Sequence, residues 1–141
     1  MPADFHREQL EAVSALSVGE LSRAWRSSIT AHKLNPEEPA PYVNLSQILL
    51  QWGENIRAKE WCESGLLKFP EHRPLWQALA SVFSVLYKNR DDLLRHLTDF
   101  ADQRHSWLGS TLVAQYRAEL LGDINYRRSK LEQYYAEGER N

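Results

Sequence analysis

The sequence has little of several residue types that define whole classes of protein. Cys62 is its single cysteine, so the chain forms no internal disulfide and no cysteine-rich zinc site. Six glycines and six prolines are too few for a collagen-like or disordered chain. Apolar runs fall far short of the ~20 residues that span a bilayer, and the opening segment MPADFHREQLEA lacks the apolar core of a signal peptide. We therefore expect a cytoplasmic protein in a reducing environment, with no membrane segment.

An excess of charge of either sign is also missing. Seventeen Lys and Arg stand against nineteen Asp and Glu, for a net charge of -2. Such a balance gives no general attraction to nucleic acid or to an anionic membrane. The 43% hydrophobic and 26% charged residues are typical of a soluble globular protein, and 141 residues suit one domain.

What the sequence does contain is an internal repeat of 34 residues. Gly19, in SVGEL, is followed at that distance by Gly53, in QWGEN. A further 34 residues reach the polar turn that begins at Tyr87, and 35 more reach Gly122. Other pairs share the spacing: Ala24 and Ala58, Pro36 and Pro70, Tyr42 and Trp76, Leu45 and Leu79. Several residue types repeating together indicate stacked structural units.

The second unit defines the local structure. The apolar stripe of its first predicted helix is Tyr42, Leu45, Ser46, Leu49 and Trp52. Gly53 permits the positive φ that commonly ends a helix. The stripe of the next predicted helix is Ala58, Trp61, Cys62, Gly65 and Leu66, and Pro70 ends that helix. The small residues Ser46, Ala58 and Gly65 are placed where two helices must approach closely. One helix pair cannot bury such stripes, so we expect the units to stack.

These residues resemble the tetratricopeptide repeat family, whose pattern is W-x2-L-G-x2-Y, then A-x3-F, then P, in a 34-residue frame. The second unit matches it at Tyr42, Leu45, Ser46, Leu49, Gly53, Ala58, Cys62, Gly65 and Pro70. The third matches its first-helix part at Trp76, Leu79, Ala80 and Phe83. The resemblance implies an all-α, right-handed solenoid of about four helix-turn-helix repeats, eight helices in all. The repeats cover residues 5–38, 39–72, 73–107 and 108–141 of a single domain, 1–141.

The outer units depart from the pattern. In the first unit the fitting residues are Ala12, Ala15, Gly19, Ala24, Ala31 and Pro36, and its polar first helix suits a terminal cap. The third lacks the turn glycine and the exit proline, and its second helix, residues 91–104, is expected to bury Leu93, Leu94, Leu97, Phe100 and Ala101. In the fourth, Gly122-Asp123 predicts a turn. The last helix, residues 124–137, is expected to place Leu131 and Tyr134 inward and Arg127, Arg128 and Lys130 on its polar side.

Tetratricopeptide repeats bind extended peptides or helices on the concave surface formed by their first helices. Carried over by position, the concave candidates are Gln9, Val13, Val43, Asn44, Gln47, Gln51, Gln77, Ser81, Leu112 and Tyr116. Asn44 and Gln47, one turn apart, form a pair that suits the backbone of an extended ligand. The alternative is that these are simply solvated helix-face residues. The lysine, asparagine and arginine clamp of chaperone-binding members is absent, because only Asn44 survives at its positions and no cation does. We therefore expect no binding of chaperone tails.

Other candidate functional sites have less support in the sequence. His96, Asp99, Asp102 and His105 surround one predicted helix end, but such spacing is common on exposed faces, so we expect no metal. No catalytic motif or phosphate loop occurs, and no cofactor is expected. Cys62 is interpreted as a small core residue rather than a nucleophile. Trp25 and Trp107 fit no regular packing position. For each, packing is favoured over an exposed patch for a partner.

The sequence thus favours a non-catalytic protein–protein interaction scaffold whose partner is another protein rather than nucleic acid or membrane. One alternative is the recruiting segment of a larger enzyme such as a glycosyltransferase, although the absence of a catalytic remnant between Met1 and the closing EGERN favours a stand-alone protein or a trimmed segment. Another is a homo-oligomeric assembly module that self-associates through its terminal helices, with Leu131, Tyr134 and Tyr135 as the residues concerned. RNA binding is a distant further alternative, because the predicted concave face lacks regular basic residues.

Overall fold

The computed structural model describes the backbone of residues 2–140 and the side chains of residues 3–119, 122, 128–129 and 131–138. Within residues 2–140 the chain is all-helical and contains no strand. The helices are α1 (Pro2–Ser17), α2 (Leu21–Leu34), α3 (Ala40–Gln51), α4 (Asn55–Lys68), α5 (Arg73–Leu86), α6 (Arg90–Arg104) and α7 (Trp107–Arg140).

Consecutive helices pack in pairs, and the pairs stack along the chain. α1 packs on α2, α3 on α4, and α5 on α6, while α7 packs on α6. The odd-numbered helices also contact one another in order: α1 meets α3, α3 meets α5, and α5 meets α7. This arrangement is consistent with a helical-repeat solenoid, and the predicted all-α fold class is confirmed.

The fourth unit differs from the prediction. Its two expected helices form one continuous 34-residue helix, α7, so seven helices rather than eight are present among residues 2–140. Gly19 and Gly53 have φ values of +76° and +80° and lie between helices, as predicted for Gly53, whereas Gly122 does not adopt a positive φ. A glycine inside a helix costs only about 1 kcal/mol, so it breaks a helix only where the segment after it gains by packing back.

The other helix ends follow the turn chemistry of the sequence. α4 ends at Lys68, two residues before Pro70, and Pro74 lies in the first turn of α5, where its missing N–H costs nothing. At the turn without glycine, the Asn89 side chain accepts hydrogen bonds from the backbone N–H of Asp91 (2.8 Å) and Asp92 (3.4 Å) and so caps α6. His105 takes the left-handed conformation at the other end of α6, with φ of 51°.

The core consists mainly of the residues that the repeat predicted. Fully buried alanines join the first pair of helices: Ala12, Ala15, Ala24 and Ala31. The stripes of the second and third units are buried at Tyr42, Leu45, Ser46, Leu49, Ala58, Cys62, Gly65, Leu66, Trp76, Leu79, Ala80 and Phe83. A Cβ atom on Gly65 would lie 2.9 Å from Cδ1 of Leu75, which confirms the expected close approach. In α6, Leu97, Phe100 and Ala101 are buried, while Leu93 and Leu94 are only partly so.

The predictions for Trp52, for Trp107 and for the inward face of the last helix need correction. Trp52 is half-exposed at the end of α3, and its ring packs on Trp25, with centroids 5.6 Å apart. Packing is therefore confirmed for Trp25. Trp107 begins α7 and is largely exposed, so the packing prediction for it is wrong. Leu131 and Tyr134 are also exposed, because no described part of the chain lies against them. Arg128 is exposed as predicted, and the side chains of Arg127 and Lys130 lie outside the described residues.

Candidate functional site

A groove of about 470 Å³ runs between α3 and α5. Along each of the two helices the lining residues recur every three or four positions, because helical residues at that spacing share one face. The lining side chains are Val43, Ser46, Gln47, Leu50, Gln51, Pro74, Gln77, Ala78, Ser81 and Val82. Since α3 and α5 are held together by a buried core, both walls of the groove are formed in the absence of a ligand.

None of the ten lining side chains is ionisable. Three are glutamines, and no hydrogen bond ties Gln47, Gln51 or Gln77 through its side chain to another residue in the described part of the chain. Each amide therefore offers both a donor and an acceptor to a ligand. The walls between them are aliphatic, so the groove combines small apolar surfaces with neutral hydrogen-bonding groups.

The two serines of the groove contribute less to hydrogen bonding. Ser46 Oγ donates to the carbonyl oxygen of Tyr42 (2.7 Å), and Ser81 Oγ donates to that of Gln77 (3.1 Å). Because each hydroxyl has one proton, these groups can only accept from a ligand. The donors available in this groove are therefore the glutamine amides.

Half of the predicted concave-face residues line this groove: Val43, Gln47, Gln51, Gln77 and Ser81. The others lie outside it. Gln9 and Val13 are on α1, and Leu112 and Tyr116 are on α7. These two helices are the first and last of the four odd-numbered helices, on either side of α3 and α5. The structure therefore does not bring all ten together at one cavity.

Asn44 is placed differently from its predicted partner Gln47. It is only 8% exposed and does not line the groove, and its Nδ2 atom has no hydrogen-bond partner among the described residues. Gln47 faces the groove one turn later. The predicted ligand-holding pair is therefore split, and the amides that share the groove with Gln47 are those of Gln51 on the same helix and Gln77 on the opposite wall.

Sequence reasoning missed half of the lining: Ser46, Leu50, Pro74, Ala78 and Val82. The signal for them was the helical period itself. Ser46, Leu50, Pro74 and Ala78 each lie three residues from a predicted groove residue, and Val82 lies four residues after Ala78. Ser46 was assigned wholly to the buried stripe, whereas it borders both the core and the groove.

A second concavity, of about 340 Å³, lies beside α4 and is lined by Tyr42, Arg57, Glu60, Trp61 and Ser64. Behind it, the His32 ring contacts Tyr42 and Trp61 edge to face, with centroids 4.9 and 5.5 Å apart. Burial, with a smaller contribution from the positive charge of Lys68, lowers the pKa of His32. These contacts fix the ring as part of the packing between α2, α3 and α4.

Two of the residues considered for metal binding or nucleophilic chemistry, His96 and Cys62, take part in packing. The His96 ring stacks on Tyr87 at 3.8 Å, and among the described residues no group of three or more His, Cys, Asp or Glu side chains is arranged to hold a metal ion. Cys62 is buried, and burial raises the pKa of its thiol to about 11. The thiol therefore stays protonated at neutral pH, as expected for a core residue.

Comparison with known proteins adds no functional information to that of the groove. No protein-family model matches the sequence, and no curated protein matches it either. Across the described residues, no helix has the length and apolar character needed to cross a membrane.

Proposed function

We propose that this protein is a non-catalytic interaction module of the tetratricopeptide type, which binds an extended, uncharged segment of a partner protein in the groove between α3 and α5. The observation that carries the proposal is the lining itself, three unengaged glutamine amides set among aliphatic side chains with no ionisable group. Glutamine amides can donate to and accept from the peptide groups of an extended chain. The aliphatic walls, such as Val43, Leu50 and Val82, suit small apolar side chains of the ligand.

The absence of charge in the lining selects against charged ligands. A carboxylate, phosphate or ammonium group that enters this groove loses hydration and finds no opposite charge among the lining residues. Binding would then depend on shape and on neutral hydrogen bonds. The 34-residue repeat and the stacked helix pairs support the family assignment, and the free buried thiol of Cys62 fits a reducing, cytoplasmic setting.

A displayed library of random peptides, selected against the full chain, tests this function. The expected result is enrichment of peptides with an uncharged core whose binding is lost by Gln47→Ala/Gln77→Ala. A matched control, Gln103→Ala/Gln115→Ala, removes two exposed amides outside the groove and should bind like the parent.

Salt gives a second readout in the same experiment. Affinity should change little up to ~1 M NaCl, where the Debye length falls to about 3 Å and exposed charge pairs are screened. Enrichment of acidic or basic peptides, or equal binding by the groove variant and its parent, would contradict the proposal.

A further inference from the structure

The second concavity, beside α4, differs in chemistry from the groove between α3 and α5. It is lined by Tyr42, Arg57, Glu60, Trp61 and Ser64, none of which lines the groove. This lining holds one cation, one carboxylate, two hydroxyl groups and two aromatic rings, whereas the groove has neutral amides, hydroxyls and aliphatic walls. Its volume of about 340 Å³ lies at the lower end of the range for small-molecule pockets, ~300–1,000 Å³.

α4 contributes four of the five lining residues from a single face. Arg57, Glu60, Trp61 and Ser64 follow one another at intervals of three, one and three residues, so they lie along two turns of the helix. At 1.5 Å per residue this wall is ~10 Å long. The two opposite charges, on Arg57 and Glu60, are one turn apart within it.

Tyr42 supplies a fixed hydroxyl group from α3. The side chain is only 5% exposed, and its ring contacts those of His32, Trp61 and Phe69, with centroids 4.9, 5.6 and 6.0 Å away. Its hydroxyl forms no hydrogen bond with any described residue, although it is not one of the sealed polar atoms. Buried tyrosine hydroxyls usually have a partner. An unpaired one on a ring that cannot turn away, in the lining of a concavity, points to a ligand.

Arg57 is unpaired although carboxylates are within reach on its own helix. Glu54 lies three residues before it and Glu60 three residues after it, and no ion pair joins Arg57 to either of them. Among the described side chains, the three other arginines with a carboxylate three residues before them do pair with it: Arg7 with Asp4 (3.4 Å), Arg23 with Glu20 (2.7 Å) and Arg95 with Asp92 (3.1 Å). The second concavity therefore has a separate positive and a separate negative group in its lining.

We propose that the second concavity binds a small zwitterion of the α-amino-acid class, with its carboxylate on Arg57 and its ammonium group on Glu60. A simple anion meets the carboxylate of Glu60, and a simple cation meets the guanidinium of Arg57. A neutral molecule takes water from both charges and pairs with neither. Only a ligand with one charge of each sign compensates both.

The spacing of the two charges fits this class of ligand. In an α-amino acid the carboxylate and the ammonium group are attached to the same carbon, and the Cβ atoms of residues one helical turn apart are ~5–6 Å from each other. Side chains at that spacing can reach both groups of one molecule. The planar guanidinium of Arg57 can also bind a carboxylate through two parallel hydrogen bonds.

The rest of the lining suits an apolar or aromatic amino-acid side chain. Trp61 and Tyr42 provide aromatic surface, and the hydroxyls of Tyr42 and Ser64 are both free of hydrogen bonds to the described residues. The site also distinguishes a free amino acid from the same residue within a protein, because a residue inside a chain has lost both backbone charges. Its ligand is therefore a small molecule, in contrast to the peptide proposed for the groove.

Isothermal titration calorimetry of the full chain with each of the standard L-amino acids tests this proposal. At least one apolar or aromatic amino acid should bind saturably, with a Kd of ~1 mM or tighter. The amine that lacks its carboxylate and the acid that lacks its amino group should each bind at least ~10-fold more weakly. Absence of saturable binding by every amino acid overturns the proposal, as does an analogue of single charge that binds as tightly as its parent.

Substitutions in the lining locate the binding. Arg57→Gln and Glu60→Gln should each weaken it ~10-fold or more, and Tyr42→Phe, which keeps the ring contacts, ~3-fold or more. The matched control, Arg26→Gln/Glu38→Gln, removes one exposed charge of each sign outside the concavity and should bind like the parent. Unchanged affinity in Arg57→Gln and Glu60→Gln, or an equal loss in the control, overturns the assignment of the site.

Two measurements separate this result from folding and from the groove. Thermal melting should be nearly the same for the parent, Arg57→Gln and Glu60→Gln, because both residues are exposed. Gln47→Ala/Gln77→Ala should bind the amino acid like the parent, since the groove and the second concavity share no lining residue. Failure of peptide binding in the groove therefore leaves this test intact, and the reverse also holds.

Discussion

The indole ring of Trp76 lies directly against the backbone of Gly109. A Cβ atom on Gly109 would be 2.5 Å from Cζ2 and 2.6 Å from Cη2 of that ring, closer than side chains pack. The ring is also held by a hydrogen bond from its Nε1 to the carbonyl oxygen of Pro70 (2.7 Å). Ser106 Oγ donates to the same oxygen (2.8 Å), so α5, the α4–α5 turn and the start of α7 meet at one point.

Gly109→Ala should therefore destabilise the protein by ~1–3 kcal/mol, the usual cost of overpacking. The added methyl group would meet the rigid indole ring of Trp76, which is held in place by its hydrogen bond to Pro70. Urea unfolding followed by circular dichroism measures this change.

The matched control is Gly122→Ala, also within α7 but with no atom within 4 Å of the added Cβ. It should gain ~0.5–1 kcal/mol, the usual advantage of alanine over glycine inside a helix. A loss of stability in Gly122→Ala would indicate a turn at this position instead of a continuous helix, and a neutral Gly109→Ala would contradict the close contact.

Glu71 caps α7 from the turn before α5. Its carboxylate accepts hydrogen bonds from the backbone N–H of Trp107 (3.1 Å) and of Leu108 (2.9 Å), and its negative charge faces the positive end of the helix. Glu71→Ala should cost ~1 kcal/mol, as for other lost N-terminal caps.

Thermal unfolding compares this variant with Glu38→Ala, which removes an exposed carboxylate for which no hydrogen bond or ion pair occurs among the described residues. Glu71→Gln, which keeps one accepting oxygen, should fall between the two. Equal stability of Glu71→Ala and Glu38→Ala would show that the cap contributes nothing.

His32 should make the stability depend on pH. Its pKa in the folded state lies below the ordinary value of 6.5, so the unfolded chain binds the proton more readily. The contribution is fully present above about pH 6.5 and is lost as the pH falls towards the lower, folded-state pKa. Burial also lowers the pKa of His72, which acts in the same direction.

Urea unfolding of the parent and of His32→Phe at several pH values isolates the His32 contribution, because His72 is present in both proteins. The parent should lose more stability on acidification than the variant. Parallel curves for the parent and His32→Phe would disprove the prediction, as would a titration midpoint for His32 at or above 6.5 by NMR.

Gly53→Ala tests a purely conformational cost. Gly53 has a φ of +80°, and a Cβ there would meet no atom within 4 Å, so only the left-handed backbone opposes the substitution. We expect a loss of ~1–2 kcal/mol, the cost of that conformation for an L-residue. Gly53→Asn should lose less, since asparagine tolerates the region better. Equal losses of thermal stability in the two variants would point to a cause other than φ.

The repeat predicted most of the fold because its signals are local and agree with each other. Ala15 and Ala24 mark where α1 and α2 approach closely, and both are fully buried. The extent of α7 was not predictable in this way. Gly53-Glu54 and Gly122-Asp123 look alike in sequence, and they differ in how the next helical turns pack. After Gly53, Ala58 and Cys62 pack back into the core, whereas after Gly122 the described apolar residues stay exposed.

The groove was predicted in part, for a related reason. Position within the repeat predicts which helix face is concave, and two of the residues chosen in this way, Gln47 and Gln77, line the groove. It does not indicate how deeply neighbouring helices cover that face. Asn44 lies on the same predicted surface but is buried, because its depth depends on the packing of whole helices against each other.

The contacts of this fold are short-ranged along the chain. Helices that pack substantially are at most two positions apart in the helix order, from α1 with α3 to α5 with α7. In such an array the interior units are supported from both sides and the terminal ones from one side only. Amide hydrogen exchange should therefore be slowest in α3, α4 and α5 and faster towards α1. The two walls of the groove belong to this most slowly opening part, so the surface available to a ligand remains formed while the ends of the array fluctuate.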